Sequence, residues 1–194
     1  METARRDDAS IWKGAVAGAA GGLIASFAMN QFQTLLKTVA EGWADGAPRQ
    51  VGDGQEPAKQ EATGNGKGKG NGKKKKGDDA TVKAASAISE TLFDHRLRRD
   101  EKEVAGPAVH YAFGTVTGGL YGALSERWPR VARVAGLPFG AAVWLGADEV
   151  AVPALGLAQP PTESPATVHA KALAAHAVYG LTTEAVRRLV RRVL

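Results

Sequence analysis

The chain has 194 residues, 25 Lys and Arg against 20 Asp and Glu, a formal charge of +5, and no cysteine. The missing cysteine excludes disulfide frameworks, thiolate metal sites and thiol chemistry, and the length bounds the fold to one ordinary domain. The charge excess is local, in Lys73, Lys74, Lys75 and Lys76 and in Arg187, Arg188, Arg191 and Arg192, so it points to local anionic partners rather than to a basic fold.

Residues 1–10 form a polar tail. They are followed by a run without formal charge from 14 to 36, too long for the apolar core of a cleaved signal and therefore read as a retained membrane helix over 11–38. In it Gly14, Gly18, Gly22 and Ser26 fall four apart, the small-residue spacing that lets membrane helices meet backbone to backbone. From 41 to 79 the composition turns to Gly, Lys, Asn, Asp, Gln and Pro. This stretch buries too little apolar area to offset ordering entropy and is predicted to be a disordered linker, dispensable for folding. Its four consecutive lysines suit an anionic surface; without interleaved aromatics or arginine they do not specify nucleic acid.

Asp79 is a candidate cap for an amphipathic helix over 80–105, with Ala84, Ala85, Ile88 and Leu92 on one stripe. His95, followed by Arg96, Arg98 and Arg99, reads as an exposed helix end, and Gly106-Pro107 as the boundary before a three-helix membrane region over 107–194. The next segment, 108–124, lacks Asp, Glu, Lys and Arg and carries His110, Gly114, Gly118 and Gly122 four apart. Four residues advance about 400°, so these glycines share a face and form a groove for another helix. Trp128 and Arg127, Arg130 and Arg133 mark an interfacial loop.

The stretch 134–157 is long enough, at about 36 Å as a helix, to cross a hydrocarbon core of about 30 Å. It carries Gly136, Gly140, Trp144 and Asp148 four apart, with Glu149 adjacent and Pro153 expected to kink or end the helix just after the acids. A turn-rich loop, 156–167, precedes a last helix from Val168 in which His169, His176 and Thr183 are spaced by seven. The basic ends and the 127–133 loop together predict four spans with both termini cytoplasmic. The expected fold is all-α, a small polytopic membrane bundle with a long Gly/Lys-rich loop.

The order Ala-Leu-Ser-Glu-Arg-Trp-Pro (123–129), Gly136 and Gly140, Pro-Ala-Leu-Gly-Leu-Ala-Gln-Pro-Pro (153–161), His176 and Thr-Glu-Ala-Val-Arg-Arg (183–188) resembles the YagU-like inner-membrane proteins. The resemblance covers roughly 108–192 and implies a bacterial multi-span inner-membrane protein, linked for some members to acid tolerance. It implies no reaction and transfers no functional residue.

No nucleotide-binding, nucleophile-elbow or metalloprotease motif is present, so no enzyme, cofactor or metal is expected. His169 and His176 lie two turns apart, about 10 Å, too far for one ion. Asp148, Glu149, His110 and His176 are the candidate protonatable cluster, because buried carboxylates and imidazoles titrate near neutrality. Asp148, in line with Gly136, Gly140 and Trp144, is expected to be the inward acid, with His110 or His176 as partner. The alternative makes the acids interfacial and the histidines structural. Three classes of function stay open: proton or solute handling in the membrane, a structural or assembly membrane protein, and a soluble Ala/Gly-rich bundle with a basic interaction tail. The expected partners are the lipid bilayer, an anionic surface for the lysines and a second copy of the chain.

Overall fold

A helix face stripped of side chains recovers packing energy only when another backbone comes against it. The structure, a computed structural model that describes residues 2–46 and 78–194, with side chains over 10–41 and 78–194, is built on that contact. Helix α1 (Glu2–Gly46) runs antiparallel to α3 (Arg99–Arg127), with Gly14, Gly18 and Gly22 facing Gly122, Gly118 and Gly114. A Cβ on Gly18 would lie 2.8 Å from the Gly122 Cα, and one on Gly118 would lie 2.7 Å from the Gly22 Cα, both inside the 3.0 Å that Cβ atoms respect. Helix α6 (Ala166–Arg191) approaches α1 in the same way: a Cβ on Gly21 would sit 2.6 Å from the Thr183 carbonyl oxygen. It meets α4 (Leu137–Val143) through Gly180, where a Cβ would reach the Gly140 nitrogen at 2.9 Å. The glycines of each ladder are therefore the contact surface itself.

Helix α2 (Ala80–Phe93) lies on α3, with Val82 against Gly106. Asp79 caps it, accepting from the Val82 N–H at 3.0 Å, and left-handed Asp94 (φ 49°) ends it. A 3-10 segment, Pro129–Gly136, then turns the chain from α3 into α4 through three consecutive left-handed residues, Val134, Ala135 and Gly136 (φ 57°, 53° and 82°). Glycine takes that conformation freely, but for β-branched Val134 it is strained. The Ala132 carbonyl accepts from Arg188 Nη2 at 3.2 Å, and Gly136 is seated against Gly180, so α6 holds the turn in place. Beyond α4 the helix widens into a π-helical stretch, Trp144–Ala151, and closes with the single turn α5 (Val152–Ala154). A short 3-10 turn, Pro161–Glu163, leads into α6.

Several sequence boundaries move. The first helix extends past 38 to Gly46, into the stretch read as linker; the rest of that stretch up to 77, Lys73 to Lys76 included, lies outside the described residues. The amphipathic helix stops at Phe93 rather than 105, and Gly106-Pro107 lies inside α3 instead of separating two helices. Asp94 makes the break, while the Arg98 N–H donates to Glu101 Oε2 at 2.6 Å and starts α3 early enough to run through the proline. The stretch 134–157 is not one α-helix: its first residues belong to the 3-10 turn, and the acids lie on π-helical backbone.

The starts of α1 and α4 and the ends of α3 and α6 share one end of the bundle, hereafter the arginine end. Farther along the bundle, Ala25, Met29, Ala175 and Tyr179 pack into a core joined by Phe32, Phe139 and Val143, and Tyr121 stacks on Phe139 with centroids 4.2 Å apart. Buried positions otherwise hold small or polar residues, Ser26, Ser125, His176, Thr183, Glu184 and Arg187, whereas Leu23, Ile24, Phe27, Val116, Leu120 and Leu145 face outward. All the described helical elements form without a strand among the described residues. By length and composition one helical segment, Ser10–Glu41, can cross a membrane. Helices α3 and α6 are long enough but less apolar, so the expected four spans do not follow from that criterion.

Gly118→Leu is expected to force α1 and α3 apart at a cost of about 1–3 kcal/mol or more, whereas Gly146→Leu, which has open space around it, should behave like the parent. Thermal unfolding of the two variants in the same detergent checks this; equal melting would mean the seam does not carry the packing.

Candidate functional site

Two polar clusters interrupt this small-residue packing. The first is set by spacing on α6, where Glu184, Arg187, Arg188 and Arg191 fall at i, i+3, i+4 and i+7 and so share one helical face. Glu184 is 1% exposed, and a buried carboxylate persists only with its lone pairs satisfied. Its Oε2 accepts from the Tyr121 hydroxyl at 2.9 Å and Arg187 Nε at 2.7 Å; its Oε1 accepts from Arg187 Nη2 at 3.0 Å and Arg188 Nε at 2.5 Å. The two-pronged Arg187 contact is the strong form of the pair.

Glu126, the penultimate residue of α3, gathers the remaining donors. Its oxygens accept from Arg191 Nε at 2.8 Å, Arg191 Nη2 at 3.0 Å, Arg187 Nη1 at 3.3 Å and the Ser10 hydroxyl at 2.8 Å. Two carboxylates and three arginines thus tie α1, α3 and α6 together at the arginine end, and Lys13 Nζ adds a bond to the Leu194 carbonyl at 2.6 Å. The hydrogen bonds from Arg191 hold the Glu126 carboxyl below its ordinary value of 4.5, against the opposing effect of burial.

The second cluster contains the candidate acids and imidazoles. His176 is buried on α6, where Nδ1 donates to the Ala172 carbonyl at 2.9 Å and lies 3.7 Å from Asp148 Oδ2. His110 comes from α3 into the electrostatic neighbourhood of both; its Nε2, like Trp144 Nε1, is buried without a hydrogen-bond partner among the described residues. Glu149 goes elsewhere. Its Oε1 is 2.7 Å from His169 Nδ1, and His169 Nε2 lies 3.0 Å from the Pro161 carbonyl. Because that carbonyl only accepts, Nε2 carries a proton, and a second proton is held between Nδ1 and the carboxylate.

The sequence line that made Asp148 the inward acid does not survive the π stretch intact. The Asp148 side chain is 43% exposed and that of Glu149 14%. Backbone bonds of the i→i+5 type widen the turn, so residues four apart no longer stay in line with Gly136 and Gly140, and both acids turn toward α6. Sequence reasoning left out the Glu126 and Glu184 network and the Glu149 and His169 pair. The first was signalled by Glu184 three and four residues before two arginines; the second, across twenty residues and a loop, had no local signal. No group of three or more His, Cys, Asp or Glu side chains able to hold a metal occurs among the described residues.

These features define an all-helical bundle closed by glycine contacts, with polar groups inside and an ionic cluster at one end. The chain belongs to the family described as protein of unknown function (DUF1440), whose model matches residues 87–185. That match takes in one side of the glycine seam, the acids and the histidines, and leaves out α1. No curated protein and no solved structure matches the chain.

The Glu126 carboxyl lies below its unfolded value, so its contribution to stability is complete above pH about 4.5 and is lost as pH falls through the lower folded value. Melting of the parent should therefore fall on acidification through that range, and Glu126→Gln should be less stable at neutral pH and less sensitive to acid. Parallel melting-versus-pH curves for the two proteins would refute this assignment.

Proposed function

We propose that this chain is a non-catalytic, integral inner-membrane protein with four spans and both termini in the cytoplasm, whose acid–imidazole groups handle protons. The observation that carries the membrane reading is the distribution of side chains: large aliphatic and aromatic residues face outward on α1, α3 and the 137–154 helix, while Ser26, Thr183, Glu184 and His176 are buried. Water-soluble bundles sort their residues the other way. In lipid the outward residues need no cover, and packing is driven by close backbone approach, which glycine seams allow. Trp12 and Trp128 are exposed at the arginine end, at the level favoured by interfacial aromatics, and Arg127, Arg130 and Arg133 suit the cytoplasmic side. The likeness to YagU-like proteins supports the same location.

Proton handling rests on ionisable groups within the helical region, which are costly in a bilayer and serve function by default. Asp148 faces a buried imidazole, and Glu149 and His169 share a proton nearer the 156–165 loop. Along the 137–154 helix Asp148 lies about 17 Å from Leu137 and about 9 Å from Ala154, so the acids sit at depth toward the end opposite the arginines. Acid tolerance is the physiological role that the resemblance to YagU-like proteins adds to this proposal.

Membrane extraction and a C-terminal reporter test the location: the protein should resist alkaline wash, and the reporter should read cytoplasmic. A protein released by the wash, or a periplasmic terminus, overturns it.

Acid challenge of cells at matched membrane abundance tests the role. Asp148→Asn should reduce survival to that of cells lacking the protein, because His176 then faces no carboxylate, whereas Glu149→Gln should be milder since His169 keeps Pro161. Survival of Asp148→Asn equal to the parent would leave the acid a structural residue.

A further inference from the structure

Between α3, the strained 3-10 segment and α4 the surface opens into a groove of about 460 Å³. Its walls are apolar, with Leu120, Leu124, Val131 and Phe139 along them, and Arg130 and Arg133 line it at the arginine end. Both arginines are exposed and neither takes part in the ionic cluster of Glu126 and Glu184. Thr117, also in the lining, is ten residues up α3 from Arg127, so the groove reaches roughly 15 Å in from the arginine end, about half of a 30 Å hydrocarbon core.

We propose that this groove binds one anionic phospholipid, with an acyl chain along Leu120, Leu124 and Phe139 and its phosphate on Arg130 and Arg133. The proposal rests on the membrane reading above, and it commits to lipid rather than free phosphate because the cations open directly onto an apolar slot of leaflet depth. Guanidinium groups bind phosphate oxygens two at a time, and basic pockets between spans on the cytoplasmic side hold anionic headgroups. The backbone adds a second observation. Arg133 is followed at once by left-handed Val134, Ala135 and Gly136, a strained turn secured by α6 through the Arg188 bond to Ala132 and the contact of Gly136 with Gly180. Strain of this kind persists where surrounding structure over-determines it and clusters at ligand sites. Here it keeps Arg130 and Arg133 beside the groove.

The full chain, reconstituted in phosphatidylcholine bilayers with trace spin-labelled phosphatidylglycerol or spin-labelled phosphatidylcholine, tests the proposal through the motionally restricted fraction of each label. Phosphatidylglycerol should associate about fivefold or more in preference, the effect of one near-surface cation or more. Arg130→Gln/Arg133→Gln should bring the preference close to one. Arg127→Gln/Arg192→Gln, which removes the same charge from the same end outside the groove, should retain it. Leu120→Trp, at an outward-facing position, should fill the slot and lower the preference without removing a charge. Equal loss in both arginine pairs, or full preference in Leu120→Trp, would overturn the site in favour of a diffuse basic rim. A parent that does not enter phosphatidylcholine bilayers at all would overturn the membrane reading as well, whereas entry without preference overturns the lipid site alone.

Discussion

Everything in this bundle depends on backbones touching at glycine. With Gly14, Gly18 and Gly22 against Gly122, Gly118 and Gly114, α1 and α3 lie closer than side chains permit, and the same solution recurs where α6 meets α1 at Gly21 and α4 at Gly140. Glycine within a helix costs about 1 kcal/mol relative to alanine in conformational freedom. Close dispersion contact along a whole face offsets that cost when no solvent-driven burial is available. The large apolar residues, not needed between the helices, are left on the outside.

Close packing also determines where polarity can go. Tyr179 is held by its hydroxyl, which donates to the Gly114 carbonyl at 2.6 Å beside the glycine seam. At the arginine end Glu184 and Glu126 are enclosed by donors from α3, α6 and Ser10. That network orients three helix termini at once, a specificity that non-directional glycine contacts do not supply. Further along the bundle the π stretch performs a different task, turning two adjacent acids toward α6 so that each meets its own imidazole. The Glu126 and Glu184 cluster is thus satisfied by donors at one end, while the acids and imidazoles of the second cluster lie farther along the bundle.

Much of this was legible from residue spacing. The all-helical class, the glycine faces and the Asp79 cap are periodic or local signals, since a helix places i and i+4 on one side wherever it occurs. By contrast, the Gly106-Pro107 pair misleads: α3 starts at Arg99 and runs through Pro107, and the break falls at Asp94.

By itself the sequence determined that the chain forms helices, that certain faces must meet other backbones, and that its cations gather in local clusters, because these depend on periodicity and composition. Only the tertiary structure decided which faces pair, that Glu149 belongs with His169 and Glu184 with Tyr121, and that Arg130 and Arg133 flank an apolar groove. Those relations join residues far apart in the chain, and the π turn shifts the register on which any four-residue pattern relies.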